Sequence, residues 1–186
     1  MQSIFDKATT WTSAGTPQIQ LDSELYCATR DVFGVRLEGL LGRLEKQINQ
    51  NAYILTAIIG EIGNNSFDHN LGNWPDIPGV FFTNDQEKNI IVLADRGQGV
   101  RKTLTRVKPN ISSDQEALVV AFTETLSGRA PEKRGNGLKF VADVIKEQNW
   151  SLTFQSGDAT IVHSNGKFST TLSDVTVRGT LAILTY

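Results

Sequence analysis

Apolar positions first fall into a helical rhythm at Val35, Leu37, Leu40, Leu41, Leu44 and Ile48, set between charged residues. That spacing predicts an amphipathic helix over 35–48. A second helix is predicted from Tyr53 to Asn70, where Leu55, Ile58, Ile59 and Ile62 gather on one side; Gly72, Asn73 and Pro75 follow as stop signals. Val80 to Thr83 and Ile90 to Ala94 are short apolar runs flanking NDQEKN, which reads as two strands joined by a hairpin loop. The helical period returns from Asp114 to Leu126 and from Gly137 to Gln148, the latter with a stripe of Leu138, Val141, Ala142 and Ile145. Beyond Trp150 the runs SLTFQS, TIVHS, KFSTTL and TLAILTY read as antiparallel strands between Gly and Asn turns.

This order of elements predicts an α+β fold: a two-layer sandwich whose mixed, mostly antiparallel sheet is covered on one face by helices. A chain of 186 residues is long enough for one such domain with a real core. Residues 1–50 are read as an N-terminal helical segment packed on a domain spanning 51–186, with a role in homodimerisation as the alternative. Hydrophobic residues make up 39% and charged residues 20%, which sets the chain apart from disordered or collagen-like sequences. A net charge of −2 removes generic binding to nucleic acid. The single cysteine, Cys27, allows no internal disulfide and has no zinc-site spacing around it. The longest strongly apolar stretch, Ala52 to Ile59, is too short to cross a bilayer, so a cytoplasmic protein without membrane contact is expected.

Three places carry candidate chemistry. On the second predicted helix Glu61, Asn65 and Asp68 fall within roughly 60° of one another around the axis, so one face presents three oxygen-bearing side chains. An amide oxygen at Asn65 suits Mg²⁺ beside phosphate oxygens, and Glu61, one turn earlier, suits a base; an ordinary solvated helix face has the same pattern. Directly after the Ile90 to Ala94 strand stands Asp95-Arg96-Gly97-Gln98-Gly99. An acid at a strand end followed by glycines lets backbone approach a flat ligand while the carboxylate accepts from an amino group, as adenine offers; a plain strand-ending turn uses the same residues. The third is Arg134-Gly135-Asn136-Gly137-Leu138, where a polar loop opens into a helix whose first N–H groups can hold an anion. A phosphate-binding P-loop fails because Arg101 precedes Lys102-Thr103, and a dinucleotide fingerprint fails because Lys102 stands where glycine is needed.

In order and context these stretches resemble the GHKL superfamily, which has the Bergerat fold and includes type II topoisomerase ATPase subunits, heat-shock chaperones, histidine kinases and anti-sigma-factor kinases. EIGNNSFDHN, Glu61 to Asn70, resembles the family's N box; DRGQG is similar to its Asp-x-Gly-x-Gly box, RGNGL to its second glycine box and RGTLAIL to its last Gly-Thr strand. The resemblance covers Ala52 to Tyr186. It implies ATP and Mg²⁺ as ligands, with Asn65 on the metal and Asp95 on the adenine amino group. Gly97, Gly99 and Val100 would shape the adenine pocket, while Arg134, Gly135, Asn136, Gly137 and Leu138 would cap the phosphates. Thr180 would support the adenine contacts, Asp68 and His69 would border the nucleotide, and residues from Val100 to Arg134 would form an ATP lid.

The same resemblance makes Glu61 the general base if ATP is hydrolysed. His69 and His163 are the two histidines, and neither precedes the N box as a phosphoacceptor on a dimerisation helix would. A switch module that hydrolyses ATP, or transfers its γ-phosphoryl group to a regulatory or effector protein as a serine/threonine kinase, is therefore expected. A non-catalytic nucleotide-binding or protein-interaction domain of the same fold is the alternative.

Overall fold

The computed structural model describes residues 3–13, 15, 20–125 and 137–186. Helix α1 (Ile4–Thr12) precedes a short strand β1 (Tyr26–Cys27) and two long helices, α2 (Arg30–Ile48) and α3 (Asn51–Asn70). The hairpin of β2 (Val80–Asp85) and β3 (Ile90–Asp95) follows, then α4 (Val100–Leu104), α5 (Asp114–Thr123) and α6 (Gly137–Glu147). Strands β4 (Ser151–Ser164) and β5 (Lys167–Thr185) close the chain. The five strands lie in the order β1-β2-β3-β5-β4, and each described pairing is antiparallel, so the expected parallel component is absent from the described sheet. Among the described residues no helix is long and apolar enough to cross a membrane.

Alternation along the strands gives the sheet two apolar faces. Val80 and Phe82 of β2, Ile91 and Leu93 of β3, and Ala182 and Leu184 of β5 join the main core with Leu55, Ile58, Ile59 and Ile62 of α3. Phe33, Leu40 and Leu44 of α2, Leu118 and Phe122 of α5, and Val141 and Ile145 of α6 belong to the same core. The intervening residues Phe81, Val92, Ala94 and Leu181 point the other way and pack with Ala8 and Trp11 of α1. The expectation of helices on one face is thus corrected: α1 covers part of the second. Trp11 is 2% exposed, and burying a side chain of that size contributes about 2–3 kcal/mol, enough to hold a nine-residue helix that would not be stable in isolation. Ser3 and Asp6 close its first turn as a reciprocal capping box.

Two features of the sheet shape one end of the molecule. The β3–β5 register runs from Ile90 opposite Thr185 to Asp95 opposite Thr180, so the last residue of β3 faces the threonine that follows Gly179. Past that point β4 and β5 continue as a two-stranded ribbon to Ser164 and Lys167, after register shifts around Ser156, Gly157 and Ala159. Helix α5 reaches from the sheet, where Phe122 meets Phe154 with ring centres 5.2 Å apart, to this ribbon, where Gln115 donates to Thr170 at 2.7 Å. Within the span expected to be a lid, residues 100–125 are folded: Leu104, Ile111, Ala117 and Val120 form a small core of their own.

Candidate functional site

The buried stripe of α3 advances by four residues through Ile58, Ile62, Ser66 and Asn70, and it changes from apolar to polar where the helix overruns the end of the sheet. Ser66 and Asn70 are 7% and 4% exposed, so each must find partners there. The loop after β3 supplies them. Ser66 Oγ donates to Asp95 Oδ2 at 2.8 Å, and Asn70 Oδ1 accepts from Gln98 N at 2.7 Å while its Nδ2 donates to Ser66 O. Gln98 Nε2 donates to the His69 carbonyl at 3.1 Å. A Cβ at Gly97 would overlap the Asn70 amide, which is why glycine stands there.

Asp95 is the centre of this cluster. Its side chain is 1% exposed; Oδ2 accepts from Ser66 and, at 2.5 Å, from Thr180 Oγ1, and Oδ1 accepts from Gly97 N at 2.7 Å. Burial pushes its carboxyl above the ordinary carboxylate range, against the opposing pull of the Thr180, Gly97 and Ser66 hydrogen bonds. The Thr180 N–H also pulls on the carboxylate, so four donors meet its roughly four lone-pair positions, and a ligand's donor would have to displace one of them. Gly179, at φ +75°, brings β5 so close that a side chain there would strike Asp95 and Gly97.

Glu61 and Asn65, one turn apart from each other, lie on the adjoining stripe of α3, both half-buried, with Asn65 Nδ2 donating to Glu61 Oε1 at 3.2 Å. The amide oxygen of Asn65 is the end that Glu61 does not engage. Gly137, the first residue of α6, sits against the Glu61 carboxylate so closely that a Cβ there would overlap it, and Leu138 packs at the edge of the main core. The structure therefore places the polar stripe of α3 beside the start of α6. Asp68 turns aside to form an ion pair with Arg30 of α2. Val100 packs between the main core and the small one, its N–H donating to Ser156 Oγ at 2.9 Å. Arg134, Gly135 and Asn136 lie outside the described residues.

Sequence reasoning did not single out Ser66, Asn70, Gln98 and Ser156, which hold the loop in place. Ser66 and Asn70 carried a signal, since they prolong the Ile58–Ile62 series. Arg96 carried none. It is fully buried and donates to the carbonyls of Trp11, Ser13 and Gly15 at the exit of α1, and it pairs with Asp76 at 2.7 Å. Partial burial raises the Asp76 carboxyl, but the Arg96 hydrogen bonds, the Ile77 N–H and the charges of Arg96 and Arg178 outweigh it and hold it below the usual range.

On the outer side of the same loop opens a cleft of about 620 Å³, walled by Gly97 to Gly99, the start of α4, the bulge of β4 and the Val177 to Gly179 stretch of β5. Gly97 and Gly99 are the expected site residues that line it; Glu61, Asn65 and Asp95 are not among its walls. Among the described residues no group of three or more His, Cys, Asp or Glu side chains is arranged to hold a metal ion. A magnesium ion held by one amide oxygen and a ligand's phosphates would need no such group. No model of a known protein family matches the chain, and no curated protein matches it.

Proposed function

We propose that this chain is an ATP-binding switch module of the GHKL superfamily with the Bergerat fold, taking ATP with Mg²⁺ between α3, the Gly97–Gly99 loop and the start of α6. The observation that carries the reading is the buried Asp95 carboxylate at the end of β3, gripped from α3 by Ser66 and from β5 by Thr180, an acceptor that an exocyclic amino group would engage in exchange for one of its present donors. Gly97, Gly99 and Val100 would flank the base. Asn65 would offer its oxygen to Mg²⁺, which when bound neutralises phosphate charge; Gly137, Leu138 and the preceding Arg134 to Asn136 would face the phosphates. Glu61, tied to Asn65 through the amide nitrogen, would orient and deprotonate a water or a hydroxyl of a partner protein. Titration calorimetry with ATP and Mg²⁺ tests the pocket: saturable binding is expected, and Asp95→Asn should weaken it at least about tenfold. Unchanged affinity in that variant would end the assignment. Glu61→Ala should keep affinity and lose phosphate release or radiolabel transfer.

A second reading is favoured by a specific feature: the polar groups around Asp95 already satisfy one another, and Asp95 is not among the walls of the cleft that the described residues form. In that reading the domain binds nucleotide, or a partner protein, without chemistry. A thermal shift with ATP that is accompanied by neither phosphate release nor transfer to a partner selects it.

A further inference from the structure

The outer cleft has a chemistry of its own. Arg101, Lys102 and Arg178 are among its walls, and Asp114 is the one carboxylate there, so its charge is positive by two. Elsewhere on the described surface some cations are paired, Lys108 with Glu124 at 2.7 Å, Lys88 with Asp85 at 3.1 Å and Arg30 with Asp68, while others such as Arg43 and Lys46 have no ion pair among the described residues; what sets the cleft apart is that three cations line one cavity. Arg101 and Lys102 have no such ion pair among the described residues. Arg178 is only partly engaged: its Nε is buried, has no hydrogen-bond partner among the described residues, and lies 3.5 Å from an Asp76 carboxylate that is already bound by Arg96. Asp114 is itself occupied, since its Oδ2 accepts from Asp158 N and abuts Gly157.

The cleft is also built to stay open. Gly157, at φ +62°, leaves no room for a side chain because a Cβ would overlap Asp114. Ser156, 3% exposed, locks the walls together, accepting from Val100 N and donating to Gly179 O at 2.9 Å. A volume of about 620 Å³ lies within the range of sites for small organic ligands. Guanidinium and ammonium groups lining one cleft favour the oxygens of a multiply charged anion over a single carboxylate.

We propose that this cleft is a second ligand site, separate from the Asp95 pocket, for a small phosphorylated compound held by Arg101, Lys102 and Arg178. It stands whether or not the nucleotide reading does, because it shares with that pocket only the Gly97–Gly99 wall.

The test is an NMR titration of the full chain with inorganic pyrophosphate in the absence of Mg²⁺, repeated for the double variant Arg101→Ser/Lys102→Ser and for Lys88→Ser as a charge control. Saturable shifts are expected at the amides of Arg101, Thr105, Gly157 and Gly179. The double variant should bind at least about tenfold more weakly and the control like the wild type. Both substituted residues are exposed, so the double variant should keep its fold, and an undisturbed spectrum before titration verifies that. Shifts confined to Glu61, Asn65 and Gly137, an equal loss in the control, or the lack of a saturable response would overturn the proposal. Binding of a phosphoserine peptide far tighter than any small phosphate would overturn it in favour of a protein ligand.

Discussion

The two sides of the Gly97–Gly99 loop solve opposite electrostatic problems with residues a few positions apart. Inside, Asp95 is withdrawn from water and surrounded by neutral donors, so its charge is costly and its geometry fixed. Outside, Arg101 and Lys102 keep their hydration and form no close ion pair among the described residues, Arg101 feeling Glu116 only at longer range, so they cost little and remain available. Mutations on the inner side should therefore report first in stability, and those on the outer side first in ligand affinity.

The largest effect is expected from Arg96→Met, which breaks the clamp behind the inner side. It leaves Asp76 without its main partner and three carbonyls without donors, and should cost about 3 kcal/mol or more in urea unfolding. A loss below about 1 kcal/mol would mean that water takes over those carbonyls easily.

Thr180→Val should cost less, about 1–2 kcal/mol, and its cost should depend on pH. Because the Asp95 carboxyl is raised by burial, its contribution to stability is complete below the ordinary carboxylate value and is lost as pH rises through the raised one. Removing the Thr180 hydroxyl takes a donor from the ionised form and raises that value further. The deficit of the variant should grow with pH across this window, and a constant deficit would show that the hydroxyl does not serve the charge. Asp76 has the opposite sign: its contribution is present above the ordinary carboxylate value and is lost as pH falls through its lowered one, so Asp76→Asn should flatten the acid limb of the wild-type curve.

The smallest effect is expected outside. Arg101→Ser/Lys102→Ser should change the unfolding free energy by less than about 0.5 kcal/mol. A larger loss would show that these side chains stabilise the fold and do not serve a ligand alone.

Periodicity made the long elements legible. The helix expected over 53–70 is α3, Asn51–Asn70, and the runs at 80–83 and 90–94 are the cores of β2 and β3. The helix expected from Val35 begins at Arg30, because the Thr29 hydroxyl accepts from Val32 N and caps it five residues earlier. Four C-terminal runs proved to be two strands: Gly157 and Asp158, which resemble a turn in sequence, are absorbed as a bulge within β4. Strand β1 is two residues long and owes its place to pairing with Val80 and Phe81, which no local pattern reveals. At the candidate site the adjacency of Asp95 and Thr180 follows from register, and register becomes readable only when β3 and β5 are known to be neighbours. The direction taken by Asp68, toward Arg30, depends on how α2 lies against α3.

Arg96 joins the exit of α1 to the residue beside Asp95 without any intermediary. Prying α1 off the sheet would strand a guanidinium in the interior, so this helix and the glycine loop share one fate. Trimming this amino-terminal stretch, or hanging a bulky tag on it, would be felt at the loop as directly as a substitution there.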